Sequence, residues 1–150
     1  MIKPFLVIVY LFDFCYNSIQ QLNALVFWEV KLMTVEGVKD ALNAKLIIGE
    51  GLLGQEVSAA CGADMMSDVL AYVKDQAVLL TGLCNSQVIR TAEMMDIICV
   101  IFVRGKQPNE EMIRLAKTRG IVLLKTEYTM FSACGILHGK GLCGGDKNDG

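Results

Sequence analysis

Apolar residues along this chain gather into short continuous runs, the clearest being Ala77-Val78-Leu79-Leu80, Ile97 to Val103 and Ile121-Val122-Leu123-Leu124. Runs of this length, rich in branched aliphatic side chains, predict strands covered on both faces, as in a parallel sheet. Each is followed by a polar loop and then by apolar positions at helical spacing. A strand over 77–81 leads through residues 82–85 into a helix over 86–96. A strand over 98–103 leads through 104–108 into a helix over 109–119. A strand over 121–125 leads through 126–128 into a helix over 129–138. Ser86, Asn109 and Glu110-Glu111 suit helix starts, where N–H groups lack partners and the dipole is positive. Gly120 and Gly139 suit left-handed helix ends.

The pattern before residue 77 is weaker. Thr34 can cap a helix over 35–42, whose apolar positions Val35, Val38 and Leu42 share a face. Residues 45–49 read as a short strand that Gly51 and Gly54 terminate, and residues 56–61 as a second strand. Asp64 and Ser67 each offer a cap for a helix containing Val69, Leu70, Tyr72 and Val73. Three successive strand–loop–helix units require crossover connections. The expected fold class is therefore α/β: a three-layer α/β/α domain with a mainly parallel sheet of about five strands.

The organised pattern spans residues 33–142. Residues 143–150 form a polar, Gly-rich stretch expected to be a disordered tail. Residues 1–32 read as a leader outside the domain. Lys3 and the apolar stretch 5–12 resemble a signal peptide, but Asp13 closes that stretch and no small-x-small cleavage site follows. Trp28-Glu29-Val30 can be encoded as TGGGAGGTN, which contains a bacterial ribosome-binding sequence just ahead of the Met33 codon. Met33 is accordingly expected to be the true start; the alternative is an extra N-terminal helix packed on the domain.

Composition narrows the function classes. The chain is 53% hydrophobic and 20% charged, with mean hydropathy +0.44. No apolar run reaches the roughly 18 residues a membrane helix needs. A net charge of −2 gives no basic footprint for nucleic acid and no polybasic membrane patch. The six cysteines show no CxxC, CxC or Cys/His spacing suited to a metal. Cys99 sits in a strand pattern and Cys134 in a helical one, as reduced core cysteines do, which predicts a cytoplasmic protein. Neither a P-loop nor a GxGxxG is present, and the single histidine, His138, suits a helix C-terminus. No catalytic residues, metal or cofactor are expected. Adjacent methionines such as Met94-Met95 cannot share a helix face, so one of each pair is left for an exposed surface, consistent with a homodimer.

In open α/β sheets, ligands sit beyond the carboxyl ends of the strands. The loops expected there contribute Asn85 and Ser86, then Arg104, Gly105 and Lys106, then Thr126, Glu127 and Tyr128. Together they supply two cations, amide and hydroxyl donors and helix N-termini, a set able to hold a small anion. The same residues also suit solvated loop charges and simple helix caps. Cys84 lies close to a helix start, where a thiolate can be stabilised for redox sensing; a small loop residue of no special reactivity is the favoured reading.

The stretches LLTGLCNSQVIRTAEMMDI (79–97), VIFVRGKQPNEEMIRLAKTRGIVLLKTEYTMFSACGIL (100–137) and MTVEGVKDALNAKLIIGEG (33–51) resemble the DRTGG domain family. They are also similar to the N-terminal domain of bacterial HPr kinase/phosphorylase. Gly82, Gly105, Pro108, Thr126, Tyr128 and Thr129 fit the family pattern. Leu83-Cys84 stand where it has Asp-Arg, and Val103-Arg104 where it has Thr-Gly. The resemblance implies a three-layer α/β/α domain that accompanies catalytic parts in phosphotransacetylases, pyrophosphatases and HPr kinases. Stand-alone members look like accessory proteins of anaerobic bacteria. The function implied is that of a non-catalytic regulatory, sensing or protein-interaction module, binding a protein partner or a small anionic or nucleotide-like ligand. The alternative is an enzyme related to HPr serine kinase/phosphorylase.

Overall fold

A computed structural model describes residues 33–73 and 76–144. The expected leader and most of the expected tail lie outside the described residues. Five strands form the main sheet: β2 (Lys45–Ile48), β4 (Ala59–Gly62), β5 (Ala77–Thr81), β6 (Cys99–Phe102) and β7 (Val122–Lys125), in the order β2-β7-β6-β5-β4. Strands β4 to β7 are mutually parallel, and β2 joins the β7 edge antiparallel. The α/β class and the mainly parallel five-stranded sheet expected from the apolar runs are both present. Strands β5, β6 and β7 are almost wholly buried, which is why they read as continuous apolar runs.

The helices are α1 (Val35–Ala41), α2 (Met66–Tyr72), α3 (Ser86–Met94), α4 (Glu110–Arg119) and α5 (Met130–Gly139). Because β4, β5, β6 and β7 lie side by side in chain order, right-handed crossovers place α2, α3 and α4 on one face. There Val69, Val88, Ile89, Met112 and Ala116 pack on Leu79, Val100, Phe102 and Leu123. Helices α1 and α5 cover the other face through Val35, Val38, Leu42, Ala133 and Leu137, against Leu80, Ile101 and Leu124. Of the methionine pairs, Met66 is buried and Met65 exposed, while Met94 is exposed and Met95 packs on the core.

Several local expectations change. Residues 56–61 are two strands in different sheets: β3 (Glu56–Val57) pairs with β1 (Met33–Thr34) in a separate antiparallel ribbon, and β4 starts at Ala59. Neither Asp64 nor Ser67 caps α2, whose first turn has no side-chain cap. Gly139 remains helical, and the left-handed residue after α5 is Gly141. Cys143, the first residue of the expected tail, lies beside Ala59 as a parallel bridge and accepts the Ala60 N–H at 3.0 Å. Thr34 and Asn109 cap as expected, accepting the N–H groups of Gly37 and Met112. Among the described residues no helix is long and apolar enough to cross a membrane.

Candidate functional site

The loops after β4, β5, β6 and β7 all emerge at one end of the sheet. The loop after β6 turns toward α4 on one face, and the loop after β7 toward α5 on the other. A crevice normally opens between two strands whose connections diverge in this way. Here it is closed. Val103 to Lys106 form a tight turn, with the Lys106 N–H on the Val103 carbonyl at 3.2 Å and both central residues, Arg104 (φ 57) and Gly105 (φ 64), left-handed. The Arg104 N–H donates to the Tyr128 carbonyl at 2.8 Å, and the Gly105 N–H to the Thr126 carbonyl at 2.9 Å. The two loops are therefore sewn together, and these amides are already engaged.

The open side lies over β4 and β5. The Arg104 side chain runs back across Gly82, so closely that a Cβ there would fall on its guanidinium, and reaches Asp64 at 3.4 Å. Asp64 sits just beyond β4. Its Oδ1 accepts the Gly82 N–H at 2.6 Å and the Thr81 hydroxyl at 3.1 Å. The Thr81 hydroxyl oxygen in turn accepts the Leu83 N–H at 3.1 Å. Asp64 and Arg104 are each about half exposed. One ion pair thus spans the carboxyl ends of three neighbouring strands.

The expected site residues divide by role. Asn85 caps α3, its Oδ1 accepting the Gln87 N–H, and Ser86 is the first helical residue instead of the cap. Arg104 and Lys106 are exposed. Glu127 is exposed, lies 3.7 Å from Lys125 and packs its carboxylate on Gly105. Tyr128 is exposed, and with Leu42, Asn43, Thr126 and Glu127 it borders a depression of about 280 Å³. Thr126 is buried: its hydroxyl donates to the Leu42 carbonyl at 2.8 Å and accepts the Tyr128 N–H. That hydroxyl holds the loop against the end of α1 and is not presented to a ligand. Asp64, unassigned by sequence reasoning except as a helix cap, is the residue that organises the open side.

Electrostatics follow the geometry. The Gly82 N–H holds the Asp64 carboxyl below its ordinary range; partial burial opposes this, while the Thr81 hydroxyl and the Arg104 charge reinforce it. Burial pushes the Cys84 thiol up, Lys106 pulls it partly back and Asp64 adds to the rise. Cys84 therefore stays a thiol at neutral pH, contrary to a stabilised thiolate. Because the folded state depresses the Asp64 pKa, its contribution to stability is present above the unfolded value, about 3.9, and is lost as pH falls through the folded one. Melting curves should accordingly show Asp64→Asn destabilised at pH 7, with the deficit shrinking below about pH 4. A deficit independent of pH would contradict this assignment.

A larger groove of about 460 Å³ lies between β4 and α5, bordered by Gly62, Leu80, Phe131, Cys134, His138 and Leu142. No sequence pattern marked it, because it joins residues from four separate segments.

The DRTGG domain pattern matches residues 37–140 of the chain. Among solved structures, the chain is similar to the CBS and DRTGG domains of the regulatory region of Clostridium perfringens pyrophosphatase, complexed with the activator diadenosine tetraphosphate. The TM-score is 0.58 at 18% identity, over 72% of this chain and 47% of that one. The chain thus spans about half the length of that regulatory region, and the likeness is one of fold. Comparison with curated proteins finds no match.

Proposed function

Since the chain belongs to the DRTGG domain family, we propose that it is a non-catalytic regulatory module that senses a small anionic, nucleotide-like ligand at the carboxyl ends of its strands. The observation that carries this reading is the placement of Arg104. A non-glycine residue with φ 57 is held in a backbone region that costs about 1–3 kcal/mol, and such strain concentrates at ligand sites. The family pattern has glycine here. This chain instead accepts the strain and lays a half-exposed guanidinium over Gly82. A guanidinium offers a fork of donors matched to phosphate or carboxylate. Lys106 lies two residues on, Asn85 and Ser86 bring the start of α3 to the same end, and the exposed Tyr128 ring is suited to stacking a base. The solved relative is itself a regulatory region bound to a nucleotide activator, which agrees with this class of ligand.

A thermal-shift screen of nucleotides and phosphorylated metabolites tests the reading, because a ligand that binds only the folded state raises the melting point by mass action. Arg104→Ala should then weaken the hit about ten- to a hundredfold, the worth of one charge-assisted hydrogen bond, with an unchanged melting curve. Unchanged affinity would place the site elsewhere. A screen in which no member shifts the melting point would overturn the sensing role.

A further inference from the structure

We infer that Asp64 is a built-in occupant of the anion position, and that a ligand phosphate or carboxylate binds Arg104 only by displacing it. The inference rests on the reading of these loops as an anion site and adds how that site is regulated. One carboxylate collects a backbone N–H from Gly82, a hydroxyl from Thr81 and a guanidinium from Arg104, at 2.6, 3.1 and 3.4 Å. An amide, a hydroxyl and a guanidinium converging on one point are the donors an oxyanion needs. They come from the ends of β5 and β6, whereas the acceptor comes from the loop after β4, a strand at the edge of the sheet.

The occupant is held in a way that permits exchange. Asp64 and Arg104 are about half exposed, and their 3.4 Å contact is a single one through Nη2. Exposed, singly bonded pairs of this kind are weak. A ligand oxyanion can take over the Gly82 N–H and the guanidinium while the Asp64 carboxylate turns into water. The second cation on this side, Lys106, makes no ion pair among the described residues and adds to the attraction. Gly82 is required because any side chain there would push the guanidinium off the carboxylate. With Asp64 in place the Arg104 charge is offset and Lys106 alone is left to attract an anion, so an anion carrying more than one charge competes best. The ligand class is therefore a di- or polyanionic phosphate or carboxylate.

The test is calorimetric titration of the full chain with inorganic pyrophosphate and, separately, citrate. Asp64→Ala should bind at least one of them about tenfold or more tightly than the unaltered chain, since the internal competitor is gone. Asp64→Asn keeps an oxygen for the Gly82 N–H but removes the charge, and should fall between the two. Adding Gly82→Ala to Asp64→Ala should abolish the gain, because the new methyl occupies the guanidinium's place. A gain for pyrophosphate alone assigns phosphate, and one for citrate alone assigns carboxylate; either supports displacement. Equal or weaker binding by folded Asp64→Ala overturns it, as does absence of binding to every variant. The sensing role is judged independently by the thermal-shift screen and Arg104→Ala, so the two readings fail separately.

Discussion

Truncating Phe102 to alanine should lower the unfolding free energy by about 3–5 kcal/mol, through lost burial and the cavity left behind. Phe102 is fully buried and, among the described residues, is the largest of the fully buried side chains. It ends β6, opposite Thr81 of β5 and Lys125 of β7, and packs with Val88, Ile89 and Met112 under α3 and α4. Its neighbours belong to two helices and to the strands on either side, so the cavity cannot close by moving one element. For a domain of this size the melting midpoint should drop by more than about 10 °C. Phe102→Leu, which keeps most of the volume, should cost much less. Thermal and denaturant unfolding measure both. A loss below about 1 kcal/mol for Phe102→Ala would mean that α3 and α4 do not pack on β6. The consequence reaches the site. The Phe102 carbonyl accepts the Thr126 N–H at 2.9 Å, and the next two residues enter the Arg104 turn. Loss of the ring therefore loosens the loop pair that aims the guanidinium.

The parts of this architecture legible in the sequence are those that local physics decides. Strand β5 falls on the expected residues because it is buried on both faces and every position is apolar or small. Helix α4 begins and ends where Asn109 and Gly120 place it, as a side-chain cap and a left-handed stop. The misread positions answer to partners far away along the chain. An Asp ahead of an apolar helical run is a good cap on local grounds. Asp64 instead serves the Gly82 amide, and sequence spacing carries no trace of that contact. Thr126 looked like a ligand hydroxyl because it lies in a loop, but its partner is the Leu42 carbonyl on another element. Residues 56–61 read as one strand because nothing in their composition reveals that the chain changes sheets at Ser58. The loops of the candidate site could be named from the α/β pattern alone. That two of them would be bonded shut, moving the open side to β4 and β5, required the backbone.

The glycine whose replacement should cost most in the β2 region is Gly49, although the sequence points to Gly51 and Gly54 as the breaks. Gly49 has φ 104 and ψ 30, outside the range that residues with a Cβ adopt comfortably. A Cβ placed there would also lie 3.0 Å from the Val122 Cα, on the backbone of the neighbouring strand. A flexible side-chain tip could swing away from such a contact; a strand backbone inside a sheet cannot. Strain and overpacking together should make Gly49→Ala cost about 2–4 kcal/mol. Gly51 and Gly54 have open space where a Cβ would go and no positive φ. Alanine at either should be neutral, or stabilising by up to about 1 kcal/mol through the unfolded chain. The expected order in denaturant midpoints is therefore Gly49→Ala far below the unaltered chain, with Gly51→Ala and Gly54→Ala at or above it. Equal effects at all three would mean that β2 does not turn against β7 at Val122. The pairing of Lys45 with Lys125, one residue before Thr126, would then lose its anchor as well.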